Sequence, residues 1–329
     1  MDKIAIIGDG GWGTTLAIHL FNKGFTVSLW GAFPDYIKDL DKGRLNTKFL
    51  PGIEIPRAIE ITADLSQAFR GASICVLAIP TQFMRPVLKN ISKLKPENLI
   101  YVNLAKGIEN KTLLRGSEII KQVLGNVDLA VLSGPSIAPE VARGVPTTVV
   151  VSSAVERVAE KVQDIFINEF LRVYTNDDVI GVELGGAVKN IIAIAAGISD
   201  GMGFGANTKA ALLTRGLKEI ARFGVALGAK EETFYGISGL GDLVTTCTSR
   251  EGRNRLLGEK IAEGNRLKDI IKSTDMVFEG IPTCQSVHDL ATKYNIEMPI
   301  TEAVYEVLYK AKDPTIAVKE LMLRERKKE

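Results

Sequence analysis

Lys189 stands alone in an apolar stretch. Gly185, Gly186 and Ala187 lie just before it, and no charged residue follows it until Asp200. A cation placed so deep needs solvating partners or has a task. An ammonium beside a bound carbonyl can protonate the alkoxide that develops as hydride arrives, and the neutral amine takes the proton back in reverse. The bland rival is a lysine packed at the end of a core helix with its head in water. Lys106, in Ala105-Lys106-Gly107, follows an apolar strand and is placed to meet a substrate or cofactor anion; a plain surface lysine in a turn reads the same way. Ser133-Gly134-Pro135-Ser136 closes the next strand. Its amides and Ser136 could hold a ligand, and an ordinary turn fits the same residues. Arg253 with Asn254 and Thr246 would clamp a phosphate, because a guanidinium matches phosphate oxygens with paired donors. The alternative is an exposed basic loop. Asp242, in the same stretch, could hold the lysine or bind a hydroxyl.

Histidine is nearly absent. His19 and His288 lie in helical segments with no polar company, so a histidine–aspartate mechanism has poor material. Cys75, Cys247 and Cys284 are far apart, with no disulfide framework and no metal-ligand spacing. No metal is expected. Lysine is the remaining proton handler.

These residues need elements to position them. Lys3 to Gly8 reads as a strand, Thr14 to Asn22 as a helix and Phe25 to Trp30 as a second strand. Between the first two lies Gly8-Asp9-Gly10-Gly11-Trp12-Gly13, a G-x-G-x-x-G turn in the right context for a dinucleotide. Gly8 permits the turn, Gly10 lets backbone approach a pyrophosphate, and Gly13 lets helix and strand pack closely. The pyrophosphate would rest on free helix amides. An acid for the adenosine ribose is missing, since Trp30 is followed by Gly31-Ala32-Phe33. The choice between NAD and NADP is therefore not written there.

Further strands are expected over Ser73–Ile79, Leu99–Leu104, Leu129–Leu132, Thr147–Val151 and Leu171–Tyr174, with helices between them. Lys42 to Ile61 reads as loop. After Asp178 the β–α alternation stops and helical periods follow, with Gly236 to Arg255 as a glycine-rich polar loop. The fold class is α/β: an N-terminal Rossmann-like dinucleotide-binding domain over residues 1–176, then an all-helical substrate-binding and catalytic domain over 177–329.

A chain of 329 residues has room for two such cores. A formal charge of +2 argues against a nucleic-acid partner. No apolar run is expected to reach membrane-spanning length, since the longest candidates contain Gly, Asn or Lys, and the start runs straight into a strand, so no signal peptide or stable membrane insertion is expected. The expected location is the cytoplasm.

Taken together, these stretches resemble the bacterial NAD(P)-dependent sn-glycerol-3-phosphate dehydrogenase family over essentially the whole chain. The resemblance rests on Gly10-Gly11-Trp12-Gly13-Thr14, Ala105-Lys106-Gly107 and Ser133-Gly134-Pro135-Ser136-Ile137-Ala138 with Glu140. Its most specific motifs run from Gly181-Val182-Glu183-Leu184 through Val188-Lys189-Asn190 to Asn207-Thr208-Lys209-Ala210. Gly239-Leu240-Gly241-Asp242-Leu243, Thr246-Cys247 and Arg253-Asn254-Arg255 complete it. It implies that Lys189 is the proton donor and acceptor and that Lys106 contacts substrate and cofactor. Gly134, Ser136, Asn190, Asp242, Thr246, Gly252, Arg253 and Asn254 would line the substrate and phosphate site. Gly11, Trp12, Ala138, Arg253, Val277 and Glu279 would touch NADH or NADPH, beside Gly8, Gly10 and Gly13. The implied reaction is reversible reduction of dihydroxyacetone phosphate, a small phosphorylated triose, for phospholipid synthesis, by a cytoplasmic homodimer. Members commonly carry Arg just after the second strand, where this chain has Ala32-Phe33, which weakens any NADP preference. A related hydroxyacid or 6-phosphogluconate-type dehydrogenase would share the fold, but with handles for a carboxylate or sugar acid. A cofactor-binding regulator without chemistry is a further alternative, opposed by the presence of Lys189, Lys106 and Asp242.

Overall fold

The computed structural model describes every residue except Met1, Glu97, Lys327 and Glu329. The chain divides into two compact units. Met1–Lys106 with Arg115–Val182 forms the first, and Gly107–Leu114 with Glu183–Glu329 the second. This differs from a single cut after residue 176, because Gly107–Leu114 groups with the helical unit. Ser286 Oγ explains part of that grouping, donating to Ile108 O at 3.2 Å and to Asn110 Oδ1 at 2.7 Å.

The first unit is built on strands β1 (Lys3–Ile7), β2 (Thr26–Trp30), β3 (Glu60–Thr62), β4 (Ala72–Leu77), β5 (Ile100–Asn103), β6 (Asp128–Ser133), β7 (Thr147–Ser152) and β8 (Leu171–Asn176). They form one sheet in the order β3-β2-β1-β4-β5-β6-β7-β8. Every pairing is parallel except β6 with β7. Sequences such as KIAII and TVSLW are almost continuously apolar, as strands covered on both faces must be. The covering helices are α1 (Gly11–Asn22), α2 (Pro34–Gly43), α3 (Leu65–Phe69), α4 (Thr81–Lys93), α5 (Gly116–Leu124), α6 (Ala138–Ala142) and α7 (Glu156–Phe166). Leu16 and Leu20 of α1 are fully buried in one core with Ile4, Ile6, Val27 and Leu29. Each such side chain contributes roughly 1.5–3 kcal/mol of burial. The sequence reading missed β3, which lies within a span rich in proline and glycine, and the short α2 and α6.

In the second unit no strand occurs among the described residues. Its helices are α8 (Val179–Gly201), which begins just before the division, α9 (Ala206–Ala226), α10 (Asp242–Thr248), α11 (Arg253–Ala262), α12 (Leu267–Lys272), α13 (Gly280–Tyr294), α14 (Pro299–Tyr309) and α15 (Pro314–Met322). A π-helical turn, Ile237–Gly241, leads into α10. So the stretch expected to be a polar loop from Gly236 to Arg255 is largely helical. The membrane expectation also needs correction. α8 spans 23 residues with a mean hydropathy of 1.6 over its most apolar window, long and apolar enough to cross a bilayer. Yet 83% of that window is buried inside the protein, the mark of a core helix.

Candidate active site

In the first unit the G-x-G-x-x-G turn joins β1 to α1. Gly8 has φ +123°, and a Cβ on it would lie 2.4 Å from Ala78 O. A Cβ on Gly13 would lie 2.0 Å from Gly8 O, so only glycine lets α1 start this close to the sheet. Gly10 has open space where its Cβ would be, and it caps α1 without any side-chain hydrogen bond. The helix therefore starts with amides that no side chain caps, over an open backbone, which suits a pyrophosphate. Trp12 is half-buried against the core. Ala138 reaches the turn from α6: its Cβ would be 3.6 Å from one on Gly11, and its carbonyl accepts from Thr15 Oγ1 at 3.2 Å.

The carboxyl ends of β5 and β6 bring a second group together. Lys106 Nζ donates to Gly134 O at 2.8 Å and to Ser136 Oγ at 3.1 Å. These strands are neighbours in the sheet, which is why residues so distant in sequence meet.

The second unit holds the remaining candidates. Lys189 projects from α8 with its side chain 5% exposed. Its ammonium pairs with Asp242 and donates to Thr246 Oγ1. Asp242 and Thr246 are four apart on α10, so they share one face of that helix. Asn190, next to Lys189, accepts at Oδ1 from Asn254 Nδ2 at 3.0 Å. Asn254 Oδ1 in turn accepts from Gly280 N at 3.2 Å. Gly252 is the N-cap of α11, and a Cβ there would lie 2.9 Å from Thr246 O.

Arg253 donates to Val277 O at 3.1 Å. Its side chain is exposed, although enough protein crowds the guanidinium to lower its pKa, with Glu279 acting in the opposite sense. An arginine stays protonated at any ordinary pH. Cys247, also on α10, is fully buried, and burial pushes its thiol up to about 12 against the lowering influence of Lys189. It is no nucleophile at neutral pH.

Residues 3–159 match the family description "NAD-dependent glycerol-3-phosphate dehydrogenase N-terminus", and residues 178–319 match its C-terminus. The chain belongs to the NAD-dependent glycerol-3-phosphate dehydrogenase family. It is 48% identical over 329 residues to glycerol-3-phosphate dehydrogenase [NAD(P)+] of Clostridium perfringens strain SM101, covering 100% of this chain and 99% of that one. Identity to the Geobacter sp. strain M21 enzyme of the same name is 48% over 331 residues, with the same coverage. The crystal structure of glycerol-3-phosphate dehydrogenase from Coxiella burnetii superposes with a TM-score of 0.95 at 39% identity, covering 98% of this chain and 99% of that one.

Sequence reasoning missed Asn46 in this family member. It is fully buried, and its Nδ2 donates to Asp9 O and Thr14 Oγ1, both at 2.8 Å. Its Oδ1 accepts from Phe49 N at 3.0 Å and from Tyr36 Oη at 2.7 Å. One amide thus ties the dinucleotide turn to the Lys42–Ile61 span. No pattern marks it, because an asparagine beside prolines and glycines reads as an ordinary turn residue. The two histidines are engaged structurally. His19 Nε2 bonds with Phe166 O at 2.7 Å, and His288 stacks on Tyr305 at 3.7 Å. None of the sequence-predicted residues lines the cleft of about 530 Å³ beside Ile18, His19, Lys23 and Phe170.

Proposed function

We propose that this chain is an sn-glycerol-3-phosphate dehydrogenase that reversibly reduces dihydroxyacetone phosphate to sn-glycerol 3-phosphate with NADH or NADPH. The observation that carries the reading is the buried Lys189, held by Asp242 and Thr246. When bound, the nicotinamide supplies a hydride to the ketone carbon. The Gly8–Gly13 turn and the uncapped start of α1 hold the pyrophosphate, with Trp12, Ala138, Val277 and Glu279 as further contacts. Lys106, fixed by Gly134 and Ser136, meets substrate and cofactor anions.

Asp242 pairs with the Lys189 ammonium and holds it in place. Thr246 gives the ammonium a second fixed partner and so helps aim it. Lys189 then donates a proton to the substrate oxygen as negative charge develops there. Asn190 and Asn254 bind the substrate, and Arg253 with Gly252 and Thr246 takes its phosphate. The product is a glycerophospholipid precursor. Family resemblance supports a homodimer in the cytoplasm; light scattering of the purified protein checks the homodimer.

The functional test follows NAD(P)H oxidation by the purified full chain with dihydroxyacetone phosphate and, in separate assays, NAD(P)+ reduction with 6-phosphogluconate-type and 3-hydroxyacid-type substrates. Turnover confined to the phosphorylated triose is expected. Turnover with an acid substrate and none with the triose phosphate overturns the proposal.

A further inference from the structure

α8 and α11 meet backbone to backbone. A Cβ on Gly197 would lie 1.8 Å from Arg255 O, and one on Gly258 would lie 2.1 Å from Ile194 O. One on Gly201 would lie 2.9 Å from Glu259 O. The seam brings the first turn of α11 against the middle of α8, where Asn254 bonds to Asn190. Smooth glycine contacts set a separation, but they offer no directional group against rotation or sliding.

The charged cluster at one end of the seam is directional. Asp200, near the end of α8, accepts from Arg255 Nε at Oδ2 over 2.7 Å. Its other oxygen pairs with Lys209 Nζ of α9 at 2.7 Å. A second arm of Arg255 reaches Glu259 at 2.6 Å. The Asp200 side chain is 13% exposed and that of Arg255 12%, so solvent screens this pair far less than a surface ion pair. Two cations converge on one carboxylate, and without it they would be left as neighbouring like charges.

We infer that Asp200 is a positioning residue for substrate recognition. Arg253, Asn254 and Arg255 are consecutive at the start of α11, and successive residues on a helix point about 100° apart. Fixing Arg255 to α8 therefore fixes the directions of Arg253 and Asn254. This inference rests on the function proposed above, in which those two residues bind the substrate and its phosphate. A purely structural pair would change the melting temperature and the fraction of folded enzyme without altering the affinity of the folded molecules for substrate.

The experiment compares Asp200→Asn and Arg255→Lys with the wild-type full chain. It measures kcat, KM for dihydroxyacetone phosphate and the melting curve. Asp200→Asn is expected to raise KM for the triose phosphate about ten-fold while kcat stays within about three-fold, the pattern of lost ground-state binding. Arg255→Lys keeps a cation for Asp200 and gives a smaller rise. A folded Asp200→Asn enzyme with wild-type KM overturns the inference, as does a fall in kcat at unchanged KM. If the wild type itself shows no triose-phosphate-dependent turnover, the functional reading fails separately. The inference is then read from calorimetric affinity for sn-glycerol 3-phosphate. Weakening of about ten-fold in Asp200→Asn supports it. Equal affinity, or no binding by the wild type, overturns it.

Discussion

The side-chain amides of Asn190 and Asn254 are bonded to each other at 3.0 Å, joining α8 to α11 one residue from Lys189. The residue proposed to move the proton and the residues proposed to hold the substrate thus share one helix-to-helix contact. Changes on either side can be separated by what they do to chemistry, binding and stability.

Lys189→Ala is expected to lower single-turnover hydride transfer by roughly 10²–10⁴ through loss of general acid catalysis. It also leaves Asp242 buried without its cation, a change that costs about 3–5 kcal/mol in comparable pairs. The melting curve should therefore shift downward. Lys189→Met combined with Asp242→Asn removes both charges and should recover stability without recovering turnover. A folded Lys189→Ala enzyme with near-normal hydride transfer removes Lys189 from the mechanism and makes Lys106 the next candidate.

Arg253→Ala tests the phosphate clamp. The side chain is exposed and its protein bond is to a single carbonyl, that of Val277, so removing it leaves no buried charge behind. Loss of a bond to a charged group is worth about 1.5–3 kcal/mol, or roughly 10–100-fold in KM for the phosphorylated substrate. Unchanged KM in a steady-state assay would mark Arg253 as an ordinary surface residue.

Cofactor preference should be weak. β2 ends at Trp30, and the next positions offer neither carboxylate nor guanidinium; Phe33 is 71% exposed. Comparable kcat/KM with NADH and NADPH is expected, and a hundredfold NADPH preference, which is about 2.7 kcal/mol and within the roughly 1.5–3 kcal/mol of a bond to a charged group, contradicts it. Phe33→Arg should shift the ratio toward NADPH by supplying a partner for the 2′-phosphate.

Glu219 makes stability depend on pH. It is 2% exposed on α9, and its carboxylate accepts from Ile300 N at 2.9 Å and Thr301 N at 2.8 Å, capping the start of α14. Burial raises its pKa above the usual 4.5, outweighing the two amides. The folded state thus holds this proton more tightly than the unfolded chain does. The contribution is fully present below the usual value and is lost as pH rises through the raised one. Urea unfolding of wild type and Glu219→Gln at about pH 4 and about pH 8 should give a stability difference that is less favourable to wild type at the higher pH. A difference that is constant, or grows in favour of wild type, defeats this account.

Much of the first unit was legible because its strands are unbroken apolar runs ending at glycine or polar turns. β3 was not, since Glu60–Thr62 is three residues long and its pairing with β2 is tertiary information. α10 was hidden by Gly239-Leu240-Gly241, which reads as loop, although Asp242 and Thr246 are tied to Lys189 within the folded unit. Their spacing of four has meaning only once the segment is known to be a helix. Lys189 itself stood out because an isolated cation in an apolar helix is costly. Asn46 and Asp200 did not, because short polar residues carry no local sign of the distant groups they bind.

The three cysteines are free and wholly buried, one on β4 and two in the helical unit. Burial pushes the thiols of Cys75 and Cys284 up as it does that of Cys247. A thiol reagent therefore has nothing to attack until part of the molecule opens. Cys75 reports opening of the sheet, while Cys247 and Cys284 report α10 and α13. The order in which they are labelled in native buffer gives the order in which each unit opens locally, and labelling with bound cofactor gives the protection that ligand confers on each. The unmodified chain thus carries its own local-unfolding probes, with no engineered label required.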